Sequence, residues 1–233
     1  MANTINRPAK KPLPNTGVDR YTFFELKEDT AEGLKYGQAY TLPGTVEIAP
    51  TDSGGSDTFD ADNGPYIVES YLENMGHEIT NADIPPAIDA MWRGLERLNG
   101  AVVVDGTSKL LYFGVAWRVL KPDGSYRYIK YFKGTYSFAS NSGAKTKPSS
   151  GASEKKTAQA TYTAVRTDYG SEATPNGLMY MMIDEADALA IKSDGNTPLY
   201  ANRAAFEEAW FSDMATFTAD GGASDTNITI VVD

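Results

Sequence analysis

The chain has 233 residues, 21 Lys+Arg against 31 Asp+Glu, a formal charge of -10 and no cysteine. Its length permits one sizeable core, its acidity argues against a nucleic-acid groove lined by a basic patch, and the missing cysteines exclude disulfides, zinc-thiolate sites and cysteine nucleophiles. Residues 1–8 lack the apolar centre of a signal peptide and no apolar run approaches about 18 residues, so the expected product is made in the cytosol and stays there until it meets a partner.

Residues 1–20 hold Pro8, Pro12 and Pro14 among lysines and asparagines, and read as an extended N-terminal arm able to lie on a neighbour. Residues 21–233 read as a single β domain. Residues 21–26 alternate as a short strand, 34–42 do so more weakly, and Pro43-Gly44 turns the chain into Val46-Glu47-Ile48. Residues 50–65, rich in Gly, Ser and Asp, read as a loop before a strand over 66–72. In the helix that follows, Asp83 is the expected N-cap, and Pro85 and Pro86 fall in the first turn, where a missing N–H costs little. Ile88, Met91, Trp92, Leu95 and Leu98 make its apolar stripe, which Asn99-Gly100 ends.

After a strand at 101–104, residues 110–138 read as one long β-hairpin. Leu111, Phe113, Val115, Trp117 and Val119 share the face expected to be core, while Tyr112, Ala116 and Arg118 point outward or toward a lumen. Lys121-Pro122-Asp123-Gly124-Ser125 supplies the turn, and Tyr126, Tyr128, Phe132, Tyr136 and Phe138 resume the alternation. A lone hairpin is marginal in water, so this one needs a sheet, a covering layer or neighbouring copies of itself. Residues 140–156, built from Ser, Gly, Ala, Thr and Lys, hold too little apolar surface to order themselves and read as a mobile loop before a strand at 157–167. Residues 177–183 read as a buried strand, and 188–192 and 198–200 flank the hairpin signal Asp194-Gly195. Phe206, Ala209, Trp210, Met214 and Phe217 define a helix starting near Asn202, and 228–232 closes the chain as a strand. The expected architecture is mainly β: an antiparallel β-sandwich or barrel with a flanking α-helix and a second, C-terminal helix.

Catalytic equipment is not visible in this pattern. The only histidine, His77, reads as an incidental surface or strand residue, and no Gly-x-Ser-x-Gly accompanies it. Two Ser-x-x-Lys matches, at Ser142 and Ser153, fall in the low-complexity loop. Asp60-Ala61-Asp62-Asn63-Gly64 approximates a calcium loop, but its glycine comes one position early and Tyr71 stands where the bidentate Glu belongs, leaving at most a weak cation site. The expectation is no catalytic residue, no cofactor and no resident metal.

The string Thr58-Phe59-Asp60-Ala61-Asp62-Asn63-Gly64-Pro65-Tyr66 follows Leu42-Pro43-Gly44-Thr45-Val46 and precedes the Pro-started helix and the long hairpin. In that order of elements, over residues 37–169, the chain resembles the major tail proteins of long-tailed, non-contractile bacteriophages, although Asp60 stands where that family more often carries an aromatic residue. The resemblance implies a tail-tube fold, with copies joined into hexameric rings stacked as a tube through which DNA passes without sequence-specific binding. It implies a place in the virion tail after synthesis in the host cytoplasm. The implied partners are further copies of the chain, a tape-measure protein, a chaperone and tail terminator or tip proteins, and no membrane. The candidate inter-subunit residues are Phe59, Asp60, Asp62 and Asn63, set against the cations Lys145, Lys147, Lys155 and Lys156 of the Ser/Gly-rich loop. Two other classes stand beside this one: a carbohydrate-binding or adhesin module using Trp92, Trp117 and Trp210 as platforms, although their spacing favours core roles, and an enzyme of the glycosidase type.

Overall fold

The computed structural model describes residues 5–8, 13–61, 63–104, 106, 109–140, 143–147, 149–150, 155–170, 176–190, 199–212, 214 and 228–231. Strand β1 (Ile5–Pro8) pairs in parallel with β13 (Ile228–Val231) as a separate two-stranded sheet. The other strands, in chain order, are β2 (Gly17–Thr30), β3 (Gly33–Thr41), β4 (Thr45–Pro50), β5 (Ser53–Ala61), β6 (Gly64–Asn81), β7 (Glu96–Leu98), β8 (Ala101–Val103), β9 (Phe113–Leu120), β10 (Tyr126–Ser140), β11 (Ala158–Ala164) and β12 (Tyr180–Asp184). Helices α1 (Pro86–Arg93), α2 (Glu185–Ala188) and α3 (Arg203–Ser212) complete the set. Nine strands form one sheet in the order β3-β2-β9-β10-β11-β6-β4, with β12 added beside β10 and β5 beside β6. Within that sheet all the pairings are antiparallel, as expected.

The turn at Lys121–Ser125 is where the residue types place it: the Asp123 carboxylate accepts from the Ser125 N–H at 3.0 Å, and Gly124 takes a φ of 78°. The long hairpin is, however, shorter as a pair than expected. β9 starts at Phe113, and beyond a register shift between Tyr131 and Gly134 the outer half of β10 turns to β11. The strands therefore find their partners within the subunit, with β2 lying along the other edge of β9.

This sheet curls until residues four strands apart in its order meet. Tyr21 Oη on β2 lies 2.8 Å from His77 Nε2 on β6 and 2.8 Å from Tyr136 Oη on β10. Inside the curl Phe23, Trp92, Phe113, Val115, Trp117, Tyr131 and Tyr162 pack as one core, and Trp92 of α1 closes it by stacking on Tyr136 at 4.0 Å. A second core lies on the opposite face of the sheet, where Phe206, Trp210, Phe211 and Met214 cover Phe24, Ala116, Tyr128 and Phe132.

That second core corrects the two-faced reading of β9. Ala116 is fully buried under α3, and the Arg118 side chain is only 16% exposed. Arg118 grips Asp19 through Nε and Nη2 at 2.6 and 2.8 Å and reaches Glu207 of α3 through Nη1 at 2.5 Å. Arg20, at a φ of 54° in a bulge of β2, gives Glu207 a second guanidinium at 2.8 Å, and the Tyr128 hydroxyl donates to the same carboxylate at 2.9 Å. Asp19 first, and then Glu207, hold the Arg118 guanidinium charged.

Helix α1 begins at the prolines but ends earlier than its stripe suggests. Gly94 adopts a φ of 63°, its N–H and that of Leu95 return to the carbonyls of Met91 and Ala90, and a Cβ there would meet the Lys109 carbonyl at 1.9 Å. Leu98 consequently belongs to β7, pairing with Ala101 around Asn99-Gly100, both at positive φ as a two-residue hairpin turn requires. Asp83 does not cap the helix; Pro85 holds that position without a side-chain bond, and the Asp83 carbonyl accepts from Asn81 Nδ2. In α3 the capping reading holds, since Asn202 Oδ1 accepts from the Ala205 N–H at 3.0 Å. Strand β12 is an edge strand with Met182 48% exposed, where a buried strand was expected, and residues 185–188 turn as α2. The expected Asp194-Gly195 hairpin and Phe217 lie outside the described residues.

His77 is not at the surface. It is fully buried on β6, stacked on Tyr162 at 5.0 Å, with Trp117 4.7 Å away, and burial pushes its pKa down to about 3. The folded chain thus keeps a neutral imidazole while the unfolded chain takes up a proton below about pH 6.5, so this contribution to stability is present above that pH and lost on acidification. In urea melts from pH 7 to pH 4 the wild type should lose about 1.4 kcal/mol per pH unit relative to His77→Phe below about pH 6.5. A constant difference between the two proteins would mean that His77 is protonated in the native state.

Arg118→Ala leaves Glu207 with one guanidinium fewer beneath α3 and should cost about 2 to 3 kcal/mol, approaching the roughly 3 to 5 kcal/mol expected for Trp117→Ala. Thermal melts of the two variants measure this, and an Arg118→Ala protein as stable as wild type would refute the clasp.

Candidate functional site

Strand β6 spans 18 residues but belongs to the main sheet for only its last third. From Met75 to Asn81 it lies between β11 and β4; from Gly64 to Asn74 it pairs with β5 alone. The result is a two-stranded ribbon projecting about 35 Å from the sheet at about 3.3 Å per residue. Among the described residues no strand pairs with either outer edge of it.

The sequence led to a loop over 50–65, because Gly, Ser and Asp disfavour strands. The structure places β5 there instead, templated by β6. Gly54 is needed for that pairing, since a Cβ there would meet the Tyr71 carbonyl at 2.6 Å; at Gly55 a Cβ would meet only the movable Tyr71 hydroxyl.

Ribbon side chains are apolar yet exposed. Phe59 is 64% exposed, Tyr66 70%, Val68 61%, Tyr71 56% and Leu72 57%. Cross-strand pairing puts Phe59 opposite Ile67 and Asp57 opposite Glu69 on one face, with Tyr71 farther along; Tyr66, Val68 and Leu72 occupy the other. Residues 51–76 carry Asp52, Asp57, Asp60, Asp62, Glu69 and Glu73 and no Lys or Arg, so the ribbon is a purely acidic strip.

Of the sequence candidates, Phe59 and Asp60 sit on β5 near the tip, Asn63 turns the tip at a φ of 65°, and Asp62 lies outside the described residues. Lys145, Lys147, Lys155 and Lys156 are all exposed, on the connection between β10 and β11. That connection leaves β10 at Ser140, opposite Gln159, and enters β11 at Ala158, opposite Asn81; this is the end of β6 farthest from the tip. Lys155 and Lys156, three and two residues before Ala158, therefore lie at the end of β6 opposite the tip that carries Phe59 and Asp60.

The strip Tyr66, Val68 and Leu72 escaped sequence reasoning as a site, since an apolar strand reads as core. The signal available was the absence of any cation from 51–76. Trp92, Trp117 and Trp210 are buried at 2%, 4% and 0% exposure, which removes them as sugar platforms. Among the described residues no group of three or more His, Asp or Glu is placed to hold a metal ion. No helix among them is long and apolar enough to cross a membrane. Compared with known proteins, the sequence matches no family model and no curated protein.

The ribbon makes few contacts beyond its own two strands, so its apolar side chains should contribute little to folding. A Tyr66→Ser, Val68→Ser, Leu72→Ser variant should melt within about 1 kcal/mol of wild type, whereas Tyr162→Ser, in the inner core, should not. Differential scanning calorimetry of both checks the division of β6 into a structural and a free half.

Proposed function

We propose that this chain is a structural protein that self-associates head to tail, and that its assembled form is a tube of stacked rings of the phage-tail type, a conduit for DNA. The observation that carries this reading is the β5–β6 ribbon: two edges that no strand among the described residues pairs with, and six large exposed apolar side chains that a solitary soluble domain has no use for. Exposed strand edges invite pairing with another chain, and contiguous apolar surface marks a contact still to be made.

Polarity supports the head-to-tail form. One end of the subunit is the acidic ribbon, and Lys155 and Lys156 lie beside Ala158 at the opposite end of β6. Surfaces that complement each other but not themselves generate rings or open stacks rather than twofold dimers. Net acidity suits a conduit, because a wall that attracted phosphates would retain the DNA. The resemblance in residues 37–169 points to the same class, and a tape-measure, chaperone and terminator or tip proteins would be the other partners. No catalytic step is needed.

Electron microscopy and light scattering of concentrated protein test the proposal. Rings or tubes are the expected outcome; a chain that stays monomeric at high concentration in low and high salt would overturn it. The Tyr66→Ser, Val68→Ser, Leu72→Ser variant should remain folded and fail to assemble. Deleting residues 143–155 should leave a folded subunit that no longer stacks, and high salt should weaken stacking of the wild type, since exposed ion pairs of about 1 kcal/mol or less are screened. Full-length tubes from the deletion variant would remove the lysine connection from the interface.

A further inference from the structure

We propose that the cavity between α1 and the segment entering β9 is the socket that receives the ribbon of a second copy of this chain, with Phe59 as the side chain that enters it. This rests on head-to-tail self-association and names its contact. The cavity is about 400 Å³ and is walled by Trp92, Leu95, Val104, Leu110, Leu111 and Tyr136, with Arg93 and Lys109 beside them. Val104 and Leu110 are each 70% exposed, so its mouth is apolar and open to solvent. Such a wall, with cations at its edge, fits an aromatic anchor flanked by acids.

The ribbon presents that combination on one face. Phe59 lies opposite Ile67, and the next outward pair along the ribbon sets Asp57 directly opposite Glu69. Like charges directly opposed across two strands repel, and nothing within 51–76 offsets them, because the segment has no Lys or Arg. Seating Phe59 in the cavity brings those carboxylates toward Lys109 and toward Arg97, which is exposed on β7. One contact then covers an apolar face and relieves a repulsion.

The subunit's own ribbon does not reach the socket. Thr135 and Tyr136 in its wall are in register with Thr163 and Tyr162 of β11, and through them with Gly76 and His77 of β6. Phe59, opposite Ile67, is separated from Gly76 by about 30 Å of extended strand. A ribbon seated there comes from another copy, and because ribbon and socket differ, each copy that donates a ribbon leaves its own socket free for the next.

The chain has no native cysteine, so introduced thiols report the contact without background. A Phe59→Cys, Leu110→Cys double variant, oxidised mildly at an assembling concentration, should give a ladder of covalent oligomers on a denaturing gel, while either single variant stops at dimers. As a positional control, Phe59→Cys is paired with Leu199→Cys, an exposed residue remote from the cavity wall. If wild type assembles but the Leu110 pair gives no ladder, or one no stronger than the Leu199 pair, the socket is wrong and self-association stands. If wild type does not assemble at all, the self-association reading falls first and takes the socket with it. A charge exchange gives an independent readout: Asp57→Lys with Glu69→Lys should abolish assembly, and mixing that chain with an Arg97→Glu, Lys109→Glu chain should restore it. No restoration, with each chain folded, overturns the contact.

Discussion

One continuous strand passes through two environments, and the rest of the molecule depends on that change. From His77 to Asn81, β6 is paired on both edges, and it is anchored by His77 among Tyr21, Trp117, Tyr131 and Tyr162. From Pro65 to Asn74 every residue is exposed. A two-stranded ribbon is marginal by itself, so it must be held by its base. The buried half supplies that hold: rings packed on both sides of the imidazole fix the direction in which β6 leaves the sheet, and β5 follows it residue by residue. The cost is a buried histidine held neutral, which ties the ribbon's platform to pH.

The two cores divide the remaining work. The inner one closes the curl with α1, and the outer one fastens α3 through apolar rings and the Glu207 carboxylate shared by Arg20, Arg118 and Tyr128. Neither draws on the ribbon. The two cores thus form without the ribbon's side chains, which in the proposed self-association are left to a partner. Their acidity matters in the meantime. An exposed edge lined with Tyr66, Val68 and Leu72 is an aggregation hazard, and a strip of carboxylates keeps two ribbons apart while leaving each attractive to cations.

Much of this fold was legible in the sequence because it rests on local signals. The Pro-Asp-Gly turn between β9 and β10, the prolines that open α1 and the Asn202 cap of α3 each act within a few residues. What was not legible depends on distant chain. Alternation in β9 implied one wet face, and only a helix almost ninety residues later makes Ala116 and Arg118 interior. The Gly-Ser-Asp composition of β5 opposes strand formation and is overridden by the template of β6. Gly94 cut α1 short because the Lys109 carbonyl occupies the space a side chain would need. For the site, the resemblance directed attention to Phe59, Asp60, Asp62 and Asn63 and loop composition to the four lysines, yet no local pattern says that Lys155 and Lys156 stand at the end of β6 farthest from the tip.

In the proposed self-association, the distance of the ribbon tip from Lys155 and Lys156 decides what kind of assembly would form. A self-complementary patch closes after two copies; a ribbon at one end and its complement at the other do not close, except where the rotation between copies brings the last back to the first. Preformed pairing of β5 with β6 removes most of the ordering cost that a disordered arm would meet on binding, so each contact can be individually weak and still hold within a repeating array. In the proposed assembly, weak single contacts with many repeats would make association cooperative. The same arithmetic would account for the ribbon's length: Phe59, about 26 Å out along the strand, is placed to reach beyond the subunit's own rim.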